Sequence, residues 1–596
     1  MKGSFDAQIS KGRWWAVVPI LWILLLSWLV FFDRLGSTGL LDETEPLFVE
    51  AARQMTVTGN WITPYFNEVT RFDKPPLIYW LMAIGFKTIG VNEWAARLPS
   101  ALAATLLTAF CFHILNVHTQ PKPEPIDKHL PLIPPRAADY PQGGTDHRSS
   151  RSSLIPYLGS AICALNLQSF FFGRLGYSDM VLSVCFGGSL FAFFLGYLQV
   201  DRPQFQARFY LAFYILMALA VLTKGPVGIV LPGAIVLLFL FCVGKLREGL
   251  RELRLLPGML IFLGLSVPWY VAAYLQNGAA FIDSFFGVHN VDRFTRVVNQ
   301  HQGPWYFHIL IVLAGFFPWS IYLPAAIGHF SRQNWRQKPR SQHLGLFALI
   351  WFGVVLVFFT IAVTKYITYT LPLVPAAAIL VALWWEYQMQ TQPRSWAFKL
   401  SVYVSLALCL TLAICAFYSP NWLDSDPSMP NLGDRIRQAK LNWVGLFIWL
   451  GGAIAGTILI LRHRIQQFWS VHLITYAAFI LLFVTPVFGV IDIERQLPLR
   501  KVAETVVQIR HTDESIVMAT NSFEKPSLVF YTQQPILFLN RARKLPPYLE
   551  ELRQKKQRSS LVITTSSTLQ EAKISPQQYE MLKQVGVYQI IRFSGQ

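Results

Sequence analysis

The sequence predicts a polytopic α-helical membrane protein that ends in a soluble α/β domain. Three observations carry this. Of 596 residues, 53% are hydrophobic and only 14% charged, with a mean hydropathy of +0.39, whereas soluble domains carry about 25% charged residues. The apolar residues are gathered into runs near the ~20 residues that a bilayer requires. After residue 490 the runs shorten to strand length and alternate with helical stretches, the signature of an α/β unit.

The first run, 14–32, follows Lys11 and Arg13. It is long enough to span and has no small-x-small cleavage site directly behind it, so it is read as a retained helix entering from the cytoplasm. Further runs lie at 94–118, 154–172, 177–199, 208–223, 226–244, 255–275, 304–328, 344–363, 366–386, 397–418, 443–462 and 468–490, about thirteen spans in all. The stretch 76–90 is apolar but short, and is expected to be a re-entrant or interfacial helix. With this count, the loops 119–153, 200–207, 245–254, 329–343, 387–396 and 463–467 share one side. They hold Lys245, Arg247, Arg251 and Arg254 in one, and Arg332, Arg336, Lys338 and Arg340 in another. The positive-inside rule makes that side cytoplasmic and puts the C-terminal domain outside. Segment 119–153 is rich in Pro, charge, Ser and Gly, and reads as a flexible cytoplasmic insertion. The chain thus divides into a membrane domain, 1–490, and an outer α/β domain, 491–596. In the latter, strands are expected at 516–519, 528–531, 536–539, 561–564 and 587–591, with helices at 501–510 and 547–555.

Composition also excludes. A net charge of +18 would suit nucleic acid, but much of the Lys/Arg excess sits in short loops between spans, so no nucleic-acid partner is expected. All six cysteines fall in apolar segments without a CxxC pair and read as small core residues, not disulfides or metal ligands.

Under this topology the unusual polar residues gather on the outer side. Asp42, Glu43, Asp73 and Lys74 lie in the first outer loop. Arg174 and Asp179 lie in the next, in FGRLGYSDM. Lys224 follows in LTKGP, then His289, Asp292, Arg293 and Arg296 in the loop 276–303, and Lys365 and Tyr369 in TKYITYTLP. Charges at the edges of apolar helices are costly and need a reason, so one outward-facing polar cavity is expected. Lys74 stands before Pro75-Pro76, a helix start whose unpaired amides attract anions; the alternative is a lysine snorkelling to the interface. Asp42 opens D-E-T-E-P with Glu45 three residues on, a capping-box pattern. It either caps that helix or accepts a proton from an incoming hydroxyl. The helix beyond carries Leu47, Phe48, Ala51, Ala52 and Met55 on one stripe and can lie on the membrane surface.

The remaining polar residues also have two readings each. Asp73 is a plain N-cap or part of the polar cavity. Arg174 and Asp179 either pair with each other or face the cavity. Lys224, before Gly225-Pro226, is an anion site or an interfacial anchor. Arg293 and Arg296, three apart, can share a helical face, as can Lys365 and Tyr369, four apart. His289 and His301 lack a zinc spacing; a metal is left open, with Asp73 and His289 as its candidates.

These residues carry a family resemblance. Residues 42–102, from DETEPLFVEAARQM to WAARLPSAL, look like the first outer loop of the bacterial aminoarabinose transferases of lipid A. These belong with the protein O-mannosyltransferases in the GT-C-like class of membrane glycosyltransferases that use lipid-phosphate sugars. LTKGPVGIVLP (222–232), HNVDRFT (289–295), GPWYFHILIVLAGFFPW (303–319) and TKYITYTLPLVP (364–375) match in type and order.

The resemblance implies thirteen spans and an outer C-terminal domain. It implies that Asp42 is the catalytic carboxylate of the D-E pair, with Glu43 in support and Asp179 a further acid. Lys74 would bind the carrier phosphate, with Arg293 and Tyr369 beside it; by their own positions Lys224 and Lys365 are further candidate cations for that phosphate. Asp73 stands where the family commonly has Glu, which puts any metal or acceptor role there in doubt.

The expected protein is an inverting glycosyltransferase of the inner membrane with its active site on the periplasmic side. Its donor would be a sugar on a polyprenyl monophosphate, an aminoarabinose-like pentose or a hexose, and its acceptor lipid A, another glycan or a protein. No nucleotide diphosphate leaves, so no metal cofactor is required in principle. A transporter or flippase for lipid-linked sugars is the rival. It would want polar residues through the membrane depth and repeated halves.

Overall fold

The computed structural model describes residues 17–120, 154–298, 301–391, 394–423, 429–512, 514–554 and 559–594. Beyond residue 120, the insertion expected at 119–153 lies outside the described residues. Among those described, nine helices are long and apolar enough to cross a bilayer. A tenth candidate crossing, Phe307–Gly315 with Trp319–Ser331, is bent by 115°, at a break where Pro318 has no N–H to continue the helical ladder. Three shorter apolar helices, Val17–Phe32, Leu154–Ala164 and Val227–Cys242, fall within the runs expected at 14–32, 154–172 and 226–244. Leu77–Ile89 has 13 residues and covers only about 20 Å against about 30 Å of hydrocarbon, as expected of an interfacial or re-entrant segment.

Ser178–Leu198 stands at the centre of the bundle, with 94% of its apolar window buried. Small residues let its neighbours close in on each other. A Cβ on Gly228 would lie 2.5 Å from the Ala220 backbone, and one on Gly258 2.0 Å from the Tyr214 ring.

The outer loop departs from expectation. Helix Glu45–Thr58 does not simply lie on the membrane surface. Phe48, Val49, Ala51, Ala52 and Met55 are buried, and so are Glu45, Glu50 and Arg53. It packs on Leu77–Ile89 and on the C-terminal domain. Its N-cap is Thr44, so Asp42 does not cap it. Glu45 instead reaches back to the Leu41 amide at 2.7 Å and accepts a two-pronged ion pair from Arg97 at 2.8 and 2.9 Å. Arg97 also donates to the carbonyls of Leu35, Thr38 and Gly39, and Glu45 accepts the Gly176 amide at 2.7 Å. One buried pair therefore ties together the exit of the first helix, the outer loop and the junction before Ser178–Leu198.

A small hairpin follows, β1 (Tyr65–Phe66) and β2 (Val69–Thr70). Its two-residue turn, Asn67-Glu68, has φ of 52° and 66°, the left-handed pair that such turns require and that Asn tolerates.

The C-terminal unit is a five-stranded sheet of β3 (Ser515–Ala519), β4 (Ile536–Leu539), β5 (Ser559–Thr565), β6 (Glu580–Val585) and β7 (Tyr588–Ser594), in the order β4-β3-β5-β7-β6. β3 is parallel to β4 and β5, while β7 is antiparallel to β5 and β6. The end of the long helix Ile465–Ile509 and the helix Ser527–Thr532 cover one face; Leu545–Gln554 and Ser566–Glu571 cover the other. Two expectations needed correction. Residues 528–531, drawn as a strand, are helical, since a four-residue apolar run does not distinguish strand from helix. β6 was missed because it is a largely exposed edge strand with charged residues. The long helix also runs unbroken through the boundary drawn at 490/491.

Candidate active site

Asp73 and Lys74 sit in the turn before Leu77–Ile89, whose N-cap is Pro76. The Asp73 carboxylate is an ionic hub. Its Oδ1 accepts from Lys74 Nζ at 2.8 Å and Arg293 Nη2 at 3.1 Å, and lies 3.1 Å from His289 Nδ1. Its Oδ2 accepts from Arg71 at 2.8 Å. Burial opposes charge on Asp73, but Lys74, Arg71, His289 and Arg293 together hold its carboxyl well below the usual range. Lys74 is 8% exposed. Burial first, with Arg293 and Lys224 adding to it against Asp73, pulls its ammonium down to about 8.

A second pair adjoins. Asp179, in the first turn of Ser178–Leu198, accepts from Lys224 at 2.5 Å. Lys224 is the last residue of Pro203–Lys224, where a helix C-terminus favours a cation. Its Nζ stands 5.0 Å over the Tyr369 ring, and Arg293 Cζ 5.6 Å over the Tyr366 ring. Four cations, Arg71, Lys74, Lys224 and Arg293, thus meet two carboxylates, an excess of two positive charges. Among the described residues, the buried Nε atoms of Arg71 and Arg293 have no hydrogen-bond partner. The arrangement suits a small dianion, with donors from three separated parts of the chain.

The structure therefore brings together Asp73, Lys74, Asp179, Lys224, His289, Arg293 and Tyr369. Lys365 is elsewhere engaged: its ammonium donates to the carbonyls of Thr360 and Ala362, both at 2.7 Å, at the end of Leu344–Ile361. Arg174 does not pair with Asp179; it donates to the carbonyls of Val30 and Asp33. Arg296 turns outward to Asp292 at 3.0 Å instead of sharing the site with Arg293. Glu43 is exposed. Asp42 is 6% exposed and accepts from the Ser527 hydroxyl at 2.6 Å and the Ser527 amide at 2.9 Å. Burial pushes its carboxyl up to about 6, against the Ser527 hydrogen bonds and the charges of Lys525 and Arg495.

For a metal, Asp73 and His289 do adjoin, yet both Asp73 oxygens are already shared among cations. No group of three or more His, Cys, Asp or Glu side chains converges among the described residues. Sequence reasoning missed Arg71, Tyr366, Ser527 and the Glu45–Arg97 pair. Only Arg97 carried a signal, an arginine in the first turns of an apolar span, which must find a partner.

A bundle of apolar helices with a buried polar cluster beside a C-terminal α/β domain is the GT-C fold of integral-membrane glycosyltransferases. Residues 73–123 match the dolichyl-phosphate-mannose-protein mannosyltransferase family, and residues 509–596 the C-terminal domain of cyanobacterial RgtA-type glycosyltransferases. The crystal structure of ArnT from Cupriavidus metallidurans bound to undecaprenyl phosphate superposes with a TM-score of 0.75 at 18% identity, covering 97% of this chain and 98% of that one. The undecaprenyl phosphate-alpha-4-amino-4-deoxy-L-arabinose arabinosyl transferase of Shewanella sediminis is 28% identical over 63% of this chain and 60% of its own length. That of Aeromonas hydrophila is 25% identical over 73% and 72%. An uncharacterized protein of Aquifex aeolicus is 26% identical over 60% of this chain and 62% of its own. The chain thus spans about three fifths of the length of the first of these relatives. It is a multi-pass membrane protein with the ArnT-like fold, and a relative of the aminoarabinose transferase family.

Proposed function

We propose that the protein moves a sugar from a polyprenyl monophosphate to an acceptor outside the cytoplasm. The observation that carries this is the excess of two positive charges among Arg71, Lys74, Lys224 and Arg293, buried at the end of the bundle beside the outer loop. A lipid phosphate is a poor leaving group unless its developing charge is met by fixed cations. Lys74 and Arg293 hold the phosphate, Lys224 adds charge from the side, and Asp179 keeps Lys224 in place. An acceptor hydroxyl attacks the anomeric carbon opposite the phosphate. The carbon–oxygen bond to phosphate breaks, the lipid phosphate leaves with the electron pair, and the hydroxyl proton goes to Asp42. Configuration at the anomeric carbon inverts. An Asp42 carboxyl near 6 is ionised at neutral pH yet closer to its working range than an exposed aspartate, as suits a general base.

The same reading makes thirteen crossings, a cytoplasmic N-terminus and a periplasmic C-terminal domain in the inner membrane; a reporter fused after Gln596 is then active only outside the cytoplasm. Aminoarabinose is the nearest analogy for the sugar, with other pentoses and hexoses fitting the same carrier chemistry. Lipid A, another glycan or a protein would accept it. The donor site is tested with undecaprenyl phosphate. Lys74→Ala and Arg293→Ala each weaken its binding, and the double variant loses less than the sum, because both donate to one ligand. Undecaprenol, lacking the phosphate, erases the difference between native protein and variants. Native-like affinity for undecaprenyl phosphate in both single variants would refute the site.

A further inference from the structure

Asp42 is where the two halves of the molecule meet. Its Oδ2 accepts the Ser527 hydroxyl at 2.6 Å and its Oδ1 the Ser527 amide at 2.9 Å, across 485 residues of sequence. Ser527 is 0% exposed. It opens the helix Ser527–Thr532 directly after Pro526, whose fixed φ suits a helix start. The seam is also held elsewhere. The Tyr531 hydroxyl accepts the Leu40 amide and donates to Glu93, each at 2.9 Å. The Asn67 side chain both donates to and accepts from the Ile536 backbone, each at 2.9 Å. The outer domain therefore has anchors that do not touch Asp42.

We propose that Ser527 is a positioning residue for Asp42, so that the transferase centre is completed by a side chain of the outer domain. This rests on the reading of Asp42 as the base. One donor on each oxygen fixes rotation of the carboxylate about its Cβ–Cγ bond. Each oxygen keeps a lone pair for an incoming hydroxyl. Both donors also favour the charged form that a base needs. The other groups facing Asp42 are Lys525 just before the helix Ser527–Thr532, Arg495 on Ile465–Ile509, Tyr588 on β7 and Tyr177 just before Ser178–Leu198. None of these is changed by substitution at Ser527.

The test is carbodiimide labelling of the full-length protein in lipid nanodiscs across pH 4–9. Mass spectrometry of the Asp42 peptide gives the titration midpoint without any substrate. Ser527→Ala is expected to raise that midpoint by about one pH unit, the size of a hydrogen bond to a charged group. Ser527→Cys, a weaker donor, shifts it less in the same direction, and Ser527→Thr keeps it native. Tyr531→Phe, which loosens the seam without touching Asp42, also keeps it native. Equal midpoints in Ser527→Ala, Ser527→Cys and native protein overturn the proposal, as does an equal shift in Tyr531→Phe. Envelope glycans and lipids from a deletion strain carrying Asp42→Asn separate the two ideas. Product from Asp42→Asn refutes the base reading, and the proposal with it. No product from Asp42→Asn together with an unmoved Ser527→Ala midpoint refutes the positioning role alone.

Discussion

With Lys74 on the lipid phosphate, as proposed, the donor site is sensitive to alkali in a way that can be worked out beforehand. Its ammonium titrates at about 8 because burial and the neighbouring Arg293 and Lys224 outweigh Asp73. In the empty site the lysine is therefore about nine-tenths charged at pH 7 and about one-tenth charged at pH 9. A lipid phosphate binds the cation, so above pH 8 binding must take up a proton and weakens toward tenfold per pH unit. A phosphate monoester is already a dianion in this range, its second pKa being about 6, so the ligand contributes no slope. Affinity for undecaprenyl phosphate should be about tenfold weaker at pH 9 than at pH 7. Lys74→Arg keeps its charge throughout and should abolish this limb, even if its affinity at pH 7 is lower. Fluorescence anisotropy of a labelled undecaprenyl phosphate on detergent-purified protein measures both curves. A flat native curve, or the same fall in Lys74→Arg, would show that Lys74 does not carry the pH dependence.

Three further outcomes follow from particular contacts. Asp42→Asn should leave expression and undecaprenyl phosphate binding native while turnover drops about 10²-fold or more; near-native turnover rules out the base. Glu45→Ala strands the buried Arg97 guanidinium and two amides. It should destabilise by about 3–5 kcal/mol, read as a clear fall in thermal midpoint, and an unchanged midpoint would refute the pillar role of this pair. Asn67→Ala removes two hydrogen bonds between the hairpin and β4 and should cost about 1–3 kcal/mol, seen as faster amide exchange at Ile536; native exchange there contradicts the docking role.

Much of this was legible in the sequence because a bilayer leaves few reasons for a charge. Asp73, Lys74, Asp179 and Lys224 each stand at the edge of an apolar run, and Arg293 in a loop on the same side; polarity gathered there signals a shared cavity. What they pair with was not legible. Asp179 had Arg174 five residues away and chose Lys224 at 45 residues, because Arg174 had backbone carbonyls within reach. Lys365 looked like its neighbours but ends on the carbonyls of its own preceding helix, a local satisfaction that spacing alone does not distinguish. Asp42 shows the same limit from the other side. Its pattern matched a capping box, and it does bond the start of a helix, only one that lies 485 residues away. The strand drawn at 528–531 failed for a related reason: the helix there begins at the amide that Asp42 accepts.

The helix Ile465–Ile509 has 45 residues, which is about 68 Å of rise, more than twice the ~30 Å of bilayer hydrocarbon. It leaves the membrane and becomes part of the packing under β3 and β7 without an intervening linker. One tether pins it where it emerges: Asp492 accepts the Gly39 amide at 2.6 Å, with its other oxygen held by Arg500 of the same helix at 2.5 Å. A domain hung on a flexible chain pays loop-closure entropy each time it docks. Here the orientation is set by a continuous helical mast, with π-helical turns at Ile480–Val484 and Asp492–Gln496. The Asp42–Ser527 contact thus forms as an intramolecular event at high effective concentration, with little freedom left to lose. Lengthening the mast by one residue would turn the domain by about 100°, so its register is as stringent as any side chain it carries.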